Sequence, residues 1–135
     1  MISTLAALKN GSITPRSQDD SQATLAPILK REDGLIDFSH TATDAWNRLR
    51  GFQPWPGAFT KFRGKILQLH AAVPAPEVCV VAPGYFAVEN DRLLVGFAHG
   101  TALDVEELQV EGKKRMTAPD FINGYRPKSE EKLGI

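Results

Sequence analysis

Residues Asn47 to Phe59, which read NRLRGFQPWPGAF, constrain the fold of this chain more than any other segment. A helical pattern ends at Gly51, and the motif Pro54-Trp55-Pro56-Gly57 follows at once. Because each proline fixes its own φ and disfavours helical geometry in the residue before it, the helix cannot continue through this motif. A strand pattern begins at Ala58. The segment therefore predicts a helix, a rigid corner and a strand in direct succession, with Trp55 buried as the plug of the corner.

Length and composition indicate one soluble globular domain. The chain has 135 residues, of which 42% are hydrophobic, enough for one core with a short appended segment. It has no apolar run long enough to cross a membrane and no secretory signal pattern, so we expect a cytoplasmic location. Cys79 is the only cysteine, which excludes an internal disulfide, and its apolar neighbours predict a core position.

The amino-terminal segment has the pattern of a connector. Ile2 to Lys9 predicts one short helix that ends at Asn10-Gly11, and the polar stretch Ser12 to Gln22 predicts an extended arm. A lone helix and an arm before the first predicted strand, Thr24 to Leu29, indicate that another domain precedes them. A charged turn and a second extended segment, Leu35 to Phe38, follow.

The next element is the helix that leads into the corner. Ser39 or Thr41 can accept hydrogen bonds from its first amides, and Thr41 with Asp44 has the form of a capping box. Gly51 is expected to cap the other end. Four apolar residues recur at helical spacing and predict one buried face: Ala42, Ala45, Trp46 and Leu49.

From Ala58 onward, apolar and polar residues alternate as in antiparallel strands. The apolar phase of the last long strand switches near Glu106-Glu107, which predicts a β-bulge. Thr117 to Gly124 has the pattern of a short capped helix, and the polar residues 127–135 predict a frayed tail. Three junctions have the form of two-residue hairpin turns: Arg63-Gly64, Asn90-Asp91 and His99-Gly100.

Together these elements predict a mainly β fold. The pattern is that of a small antiparallel β-barrel of the oligonucleotide-binding (OB) type, with one helix before the main hairpins and one short C-terminal helix. A β-sandwich has the same strand pattern, so the pattern alone leaves both open. We divide the chain into a helix and linker at 1–22, an OB-like domain at 23–126 and a tail at 127–135.

No catalytic or metal-binding pattern is present in the sequence. His40, His70 and His99 are far apart and lack neighbouring ligands, and no nucleotide-binding or nucleophile-elbow motif occurs. The adjacent acidic pairs lie in stretches typical of solvated surface. We therefore predict no metal site and no catalytic residue in this chain.

Positive charge is concentrated in two places although the net charge is zero. Residues 45–76 contain five basic side chains and no acidic one, and Lys113, Lys114 and Arg115 are consecutive. The neutral total argues against a strongly basic nucleic-acid binder. A local patch can nevertheless attract a polyanion.

Three segments, NRLRGFQPWPGAF, ATLAPILKREDGLIDF (23–38) and QVEGKKRMTAPDFING (109–124), together resemble the carboxy-terminal domain of methionyl-tRNA formyltransferase. The resemblance extends from about Leu5 to Tyr125 and implies an OB-like barrel that helps to hold initiator methionyl-tRNA in translation initiation. It also implies that the catalytic residues and 10-formyltetrahydrofolate belong to an amino-terminal domain whose motifs do not occur here. We therefore expect no cofactor in this chain, no activity by it alone, and a monomer.

Lysine and arginine side chains contribute affinity for RNA through phosphate oxygens without reading bases. For any one of them, an exposed solubilising charge is the alternative explanation. Arg48 is explained by an ion pair with Asp44, and Trp55 could stack on a base instead of being buried. The corner itself is assigned a structural role through Gly51, Pro54, Trp55, Pro56 and Gly57. The candidate tRNA contacts are Lys30, Arg31, Arg50, Lys61, Arg63, Lys113, Lys114 and Arg115.

Two other functions remain open from the sequence. The domain could be a docking or structural module of a related formyltransferase that uses a sugar nucleotide or formyltetrahydrofolate. It could also be an independent module for single-stranded nucleic acid, although no series of aromatic residues runs along a strand.

Overall fold

The predicted corner connects the longest helix of the domain to the first strand of an antiparallel sheet, in a computed structural model that describes residues 2–76 and 81–134. Cys79 and its predicted core position lie outside these residues. The sheet order is β1-β2-β5-β4-β3, with β6 paired to β5. The helices and strands are α1 (Ile2–Lys9), α2 (Ala42–Gly51), β1 (Ala58–Phe62), β2 (Lys65–Pro74), β3 (Phe86–Glu89), β4 (Arg92–Phe97), β5 (Thr101–Val110), β6 (Met116–Thr117) and α3 (Ala118–Tyr125).

The predicted mainly β, antiparallel fold is confirmed, but the sheet is not a closed barrel. Among the described residues no strand ladder joins β1 to β3. The outer edge of β1 instead accepts two single hydrogen bonds, from the Ile36 amide to the Phe59 carbonyl at 2.8 Å and from the Gly134 amide to the Lys61 carbonyl at 2.9 Å. Two short segments therefore cover an edge that would otherwise expose unpaired backbone groups.

Helix α2 begins as its capping box predicts. Thr41 is the N-cap, its hydroxyl accepts from the Asp44 amide, and the Asp44 carboxylate accepts from the Thr41 amide. Ala42 and Leu49 are buried and Ala45 and Trp46 pack partly against the core, which confirms the predicted apolar face. The predicted cap at Gly51 is wrong, because Gly51 is the last helical residue and Phe52 is the C-cap with φ −96° and ψ 0°.

The hairpins and the bulge follow the sequence pattern closely. Arg63, Gly64, Asn90 and Asp91 all have positive φ, as primed two-residue turns require. The third junction is longer than predicted, since Phe97 pairs with Thr101 across three residues.

The β-bulge predicted near Glu106-Glu107 is present. Ala71 pairs with Glu107 while Ala72 pairs with Val105, so Glu106 is the extra residue on β5. Because the extra residue shifts the side-chain phase, Val105 and Leu108 both face the core, at 1% and 0% exposure.

The first predicted strand, Thr24 to Leu29, is wrong. These residues have no regular structure and no strand partner, and Leu25 and Ile28 are 95% and 90% exposed. Of the second predicted segment, Leu35 alone forms a bridge, to Phe59. An apolar run with Pro27 in its middle lacks one amide donor, and its side chains find no core to enter.

Helix α3 covers the core at one end of the sheet. Thr117 caps it as predicted, and Phe121 is fully buried, with its ring centroid 5.3 Å from that of Phe62 and 4.9 Å from that of Tyr125. The helix ends one residue later than predicted, at Tyr125, where Arg126 takes the left-handed conformation.

The carboxy-terminal tail is docked rather than frayed. Leu133 is 3% exposed within the main core, and its amide donates to the Gly84 carbonyl at 2.7 Å. Arg63 binds the tail through Glu131, with Nε and Nη2 donating to the two carboxylate oxygens at 2.7 and 2.9 Å. The buried Leu133 side chain, the bidentate Arg63–Glu131 ion pair and backbone hydrogen bonds therefore hold the tail between β1 and the residues before β3.

The buried anchor predicts that Leu133→Ala lowers the free energy of unfolding by about 2 kcal/mol, because the truncation removes apolar burial and leaves a cavity. Urea unfolding measures the change. Leu25→Ala is the matched control, since the same truncation at a fully exposed position should change stability by less than about 0.5 kcal/mol. Equal effects of the two variants would show that the tail is not docked.

Arg63 and the Lys128 amide hold the pKa of the Glu131 carboxyl below its ordinary value of 4.5. A carboxyl with a lowered pKa in the folded state stabilises the fold above its unfolded pKa, and this contribution disappears as the pH falls through the folded pKa. We expect Glu131→Gln to lower stability near neutral pH, by less than about 1 kcal/mol because the pair is partly solvated.

The difference between the wild type and Glu131→Gln should vanish in acid, below the ordinary value of 4.5. Chemical unfolding over a pH series measures it. Glu130→Gln removes the neighbouring exposed charge and serves as the control. A deficit of Glu131→Gln that persists unchanged in acid would contradict the ion-pair explanation.

Candidate nucleic-acid interface

Trp55 lies on the surface of the corner and not inside it. Its exposed fraction is 56%, so the predicted buried plug is wrong, and Pro56 and Gly57 are the buried residues of the motif. The Gly57 amide donates to the Phe52 carbonyl at 2.9 Å and closes the turn. A closed turn with two prolines carries the indole outward on a stiff backbone.

The corner is attached to strand β2 at both of its ends. Gln53 Nε2 donates to the His70 carbonyl at 2.6 Å. At the other end Gly57 has φ +77°, and a Cβ on it would lie 2.8 Å from Gln68 Nε2. Trp55 is two residues from Gln53 and two from Gly57, the two residues of the corner that contact β2.

We name the outward surface of β1, β2 and β5 the sheet face. Its side chains alternate with buried ones, and the register sets Phe59, Gln68 and Gln109 in one row across the three strands. Lys61 follows two residues after Phe59 on the same side of β1. The sheet face consists of Phe59, Lys61, Gln68, His70, Glu107 and Gln109.

A chain of hydrogen bonds crosses this face. His70 Nε2 and Gln109 Oε1 are 3.0 Å apart, and because the amide oxygen is only an acceptor, His70 Nε2 carries the proton. Gln109 Nε2 donates to the Lys113 carbonyl at 2.8 Å. The chain connects the corner, through Gln53, to the basic turn after β5. Sequence reasoning treated His70 as an ordinary strand residue and missed this row, for which the alternation of Gln68 and His70 on β2 was the available signal.

Several predicted contacts lie around the sheet face. Gly34 packs against Phe59, with 3.1 Å between the position of a Cβ on Gly34 and the Phe59 ring. Lys30 and Arg31 begin the short 3-10 helix that ends at Gly34. Lys113 and Lys114 lie in the turn that Gln109 holds. Arg50 is on the last turn of α2 and not on the sheet, and its guanidinium lies 3.8 Å from the centre of the Trp46 ring.

Arg63 and Arg115 are engaged with carboxylates. Arg63 binds Glu131 of the tail, and its guanidinium lies 4.6 Å from the Phe62 ring centre, away from the sheet face. Arg115 binds Glu107, which belongs to the face. Within residues 2–76 and 81–134, none of the other six candidates forms an ion pair: Lys30, Arg31, Arg50, Lys61, Lys113 and Lys114.

The ion pair predicted between Arg48 and Asp44 is wrong. Arg48 Nη2 donates to the Asp33 carbonyl at 2.6 Å, and its guanidinium lies 5.1 Å from the Phe52 ring centre. Asp44 is used by Thr41, whose hydroxyl and amide hold the pKa of the Asp44 carboxyl below its ordinary value. Arg48 therefore joins the segment before α2 to the end of that helix.

A small cavity between Gly34, Ile36, His40 and Arg48 has a volume of about 20 Å³, room for about one water molecule. Within residues 2–76 and 81–134 no three His, Cys, Asp or Glu side chains come together as a metal site would need. No helix there is both long and apolar enough to cross a membrane.

Comparison with known proteins identifies relatives along almost the whole chain. Residues 28–126 match the family model described as the C-terminal domain of formyl transferases. The chain is 54% identical over 134 residues to the methionyl-tRNA formyltransferase of Koribacter versatilis, and 40% identical over 126 residues to that of Bacillus subtilis. These matches cover 99% and 93% of this chain but 42% and 40% of the relatives, so the chain spans about two fifths of their length.

Solved structures show the same fold at low sequence identity. HypX from Aquifex aeolicus superposes with a TM-score of 0.58 at 17% identity, over 96% of this chain and 23% of that protein. The HypX crystal structure in complex with tetrahydrofolic acid gives a TM-score of 0.57 at 18% identity, over 92% of this chain and 22% of that protein. The fold, the family match and the sequence relatives agree: this chain belongs to the formyl transferase C-terminal domain family and corresponds to the C-terminal part of methionyl-tRNA formyltransferases.

Proposed function

We propose that this chain is the tRNA-binding part of a methionyl-tRNA formyltransferase, and that it holds initiator methionyl-tRNA on its sheet face while formyl transfer occurs elsewhere. The observation that carries the proposal is the set of cations around that face which form no ion pair within the described residues. A lysine or arginine without a carboxylate partner can exchange its counterions for phosphates, whereas a paired one must first give up its partner. The names of the relatives supply the identity of the RNA.

Four of the six unpaired cations belong to ordered segments at or near the sheet face. Lys61 projects from β1 and is exposed, and Lys113 is fixed at its backbone by Gln109. Lys30 and Arg31 flank the same face through the packing of Gly34 on Phe59. Cations carried on ordered backbone suit a folded RNA better than a flexible basic tail does, because less ordering is needed on binding.

The formyl donor belongs outside this chain in our proposal. The motifs of the catalytic, folate-binding domain that the resemblance implies do not occur in this sequence. We propose that 10-formyltetrahydrofolate and the catalytic residues lie in the remaining part of the intact enzyme, in the cytoplasm, and that this chain is a monomer without activity of its own.

A second role is favoured by the apolar surface of the connector. Leu5 on α1 is 60% exposed, and Leu25 and Ile28 are 95% and 90% exposed. Large apolar side chains exposed along one segment are typical of a docking surface. In this second role, the segment would pack against the catalytic part of a formyltransferase. If docking were the only role of the chain, the unpaired cations of the sheet face would have no function.

The proposal predicts that initiator tRNA binds this chain with an affinity that falls steeply with salt, with a log–log slope of about −0.9 for each phosphate neutralised. Lys61→Gln should weaken binding and reduce the magnitude of that slope by about one contact. Filter binding or fluorescence anisotropy over a salt series measures both quantities.

The matched control is Lys128→Gln, which removes an exposed charge from the tail without touching the sheet face. Charge changes at Arg63 are unsuitable because that side chain holds the tail through Glu131. Binding that ignores salt, or equal effects of Lys61→Gln and Lys128→Gln, would contradict the proposal.

A further inference from the structure

We infer that the Trp55 corner is a binding site for an unpaired nucleotide of the RNA, in which the base stacks on the Trp55 indole and presents its edge to Gln68. This inference deepens the proposed function and rests on it, since it requires that RNA meets the sheet face. It assigns Trp55 and Gln68 to RNA contact, a role separate from that of the surrounding cations.

The first argument is the exposure of Trp55. Tryptophan is strongly buried on average, yet this indole is 56% exposed, while Trp46, the other tryptophan, packs partly against the core and is covered by Arg50. No aromatic or cationic partner covers the Trp55 ring within the described part of the chain. More than half of the Trp55 side chain is therefore open to solvent.

The second argument is the rigidity of its support. The turn is closed by the Gly57 amide on the Phe52 carbonyl, fastened to β2 by Gln53, and pressed against Gln68 at Gly57. A side chain carried on such a backbone loses little freedom when a base stacks on it, which is why stiff aromatic residues are effective contact residues.

The third argument is the chemistry of Gln68, which packs at Gly57, two residues along the chain from Trp55. Gln68 lies on the sheet face beside Gly57, and its amide forms no hydrogen bond to another described residue, whereas His70 and Gln109 satisfy each other. A free amide offers donors and an acceptor together, which matches the edge of an unpaired base. The cations of the face, with Lys61 nearest in the sheet register, would take the phosphates on either side.

Paired RNA cannot use this site. In a duplex both faces of each base are stacked and the pairing edges are occupied, so the indole would meet only sugars and phosphates. The site therefore discriminates unpaired from paired nucleotides without reading a sequence.

The test compares two short RNA hairpins with the same number of phosphates. One has a single-stranded 3′ extension of about four nucleotides, at the lower end of the site sizes of OB folds, and the other has the same extension made of abasic residues. We expect the wild-type chain to bind the base-bearing hairpin about tenfold more tightly than the abasic one.

Three variants complete the comparison. Trp55→Ala should bind both hairpins with the affinity that the wild type shows for the abasic hairpin, and Trp55→Phe should keep most of the preference. Val88→Ala truncates another exposed apolar residue, 43% exposed on β3, and should behave as the wild type. Thermal unfolding of each variant verifies that the surface substitutions leave the fold intact.

A second readout follows the indole directly. In a Trp46→Phe background Trp55 is the only tryptophan, and stacking should quench its fluorescence with the base-bearing hairpin and not with the abasic one. Equal, salt-dependent binding of both hairpins by the wild type would overturn the inference and leave the proposed function standing. A preference that survives in Trp55→Ala would overturn it in the same way and would leave Trp55 as a protein-contact residue. If neither hairpin nor tRNA binds at low salt, the inference and the proposed function fall together.

Discussion

The close backbone contact between Gly34 and Gly57 is the constraint on which the surface of this domain depends. A Cβ on Gly34 would lie 2.5 Å from the Gly57 carbonyl oxygen, a distance that only glycine permits, and Gly57 in turn packs on Gln68. The turn before α2 therefore packs on the backbone of the proline corner, and the corner packs on the Gln68 side chain of β2. Because of this stacking, the basic residues beside Gly34 and the indole of Trp55 lie next to the same strands.

The sequence predicted those parts of the fold that depend on neighbouring residues. The Thr41 capping box, the Arg63-Gly64 turn and the bulge at Glu106 each follow from a few adjacent side chains, because capping, primed turns and phase switches are local geometry. The burial of Trp55 and the strand at Thr24 to Leu29 were predicted wrongly for the opposite reason. Whether an apolar side chain is buried depends on which distant segment covers it, and Leu25 and Trp55 remain 95% and 56% exposed.

The candidate site shows the same division between local and distant information. Lys61 and Arg63 are equivalent in the sequence, two cations at one hairpin, yet Lys61 forms no ion pair within the described residues whereas Arg63 binds Glu131. The partner is in the tail, which the sequence pattern described as frayed. The distribution of charge along the sequence therefore identified the basic region, but it did not show which of these cations pair with a carboxylate in the folded chain. The polar row of Gln68, His70 and Gln109 carries no formal charge, so the charge pattern gave no sign of it.

The cations and the polar row would make different kinds of contact with a bound RNA, and this difference determines which RNAs the surface could distinguish. Contacts from Lys61 or Lys113 to phosphates are equally favourable on any RNA of similar shape, so the cations alone would hold every tRNA alike. In the proposed site, Trp55 and Gln68 would add a contribution to the binding free energy that depends on whether the RNA has an unpaired base at the position they meet. In a neutral chain with few unpaired cations, the contribution of phosphate contacts to the binding free energy is limited. Stacking of an unpaired base then contributes a larger share. In the proposed function, such a surface would recognise RNA by its shape and its unpaired positions, and not by strong general attraction.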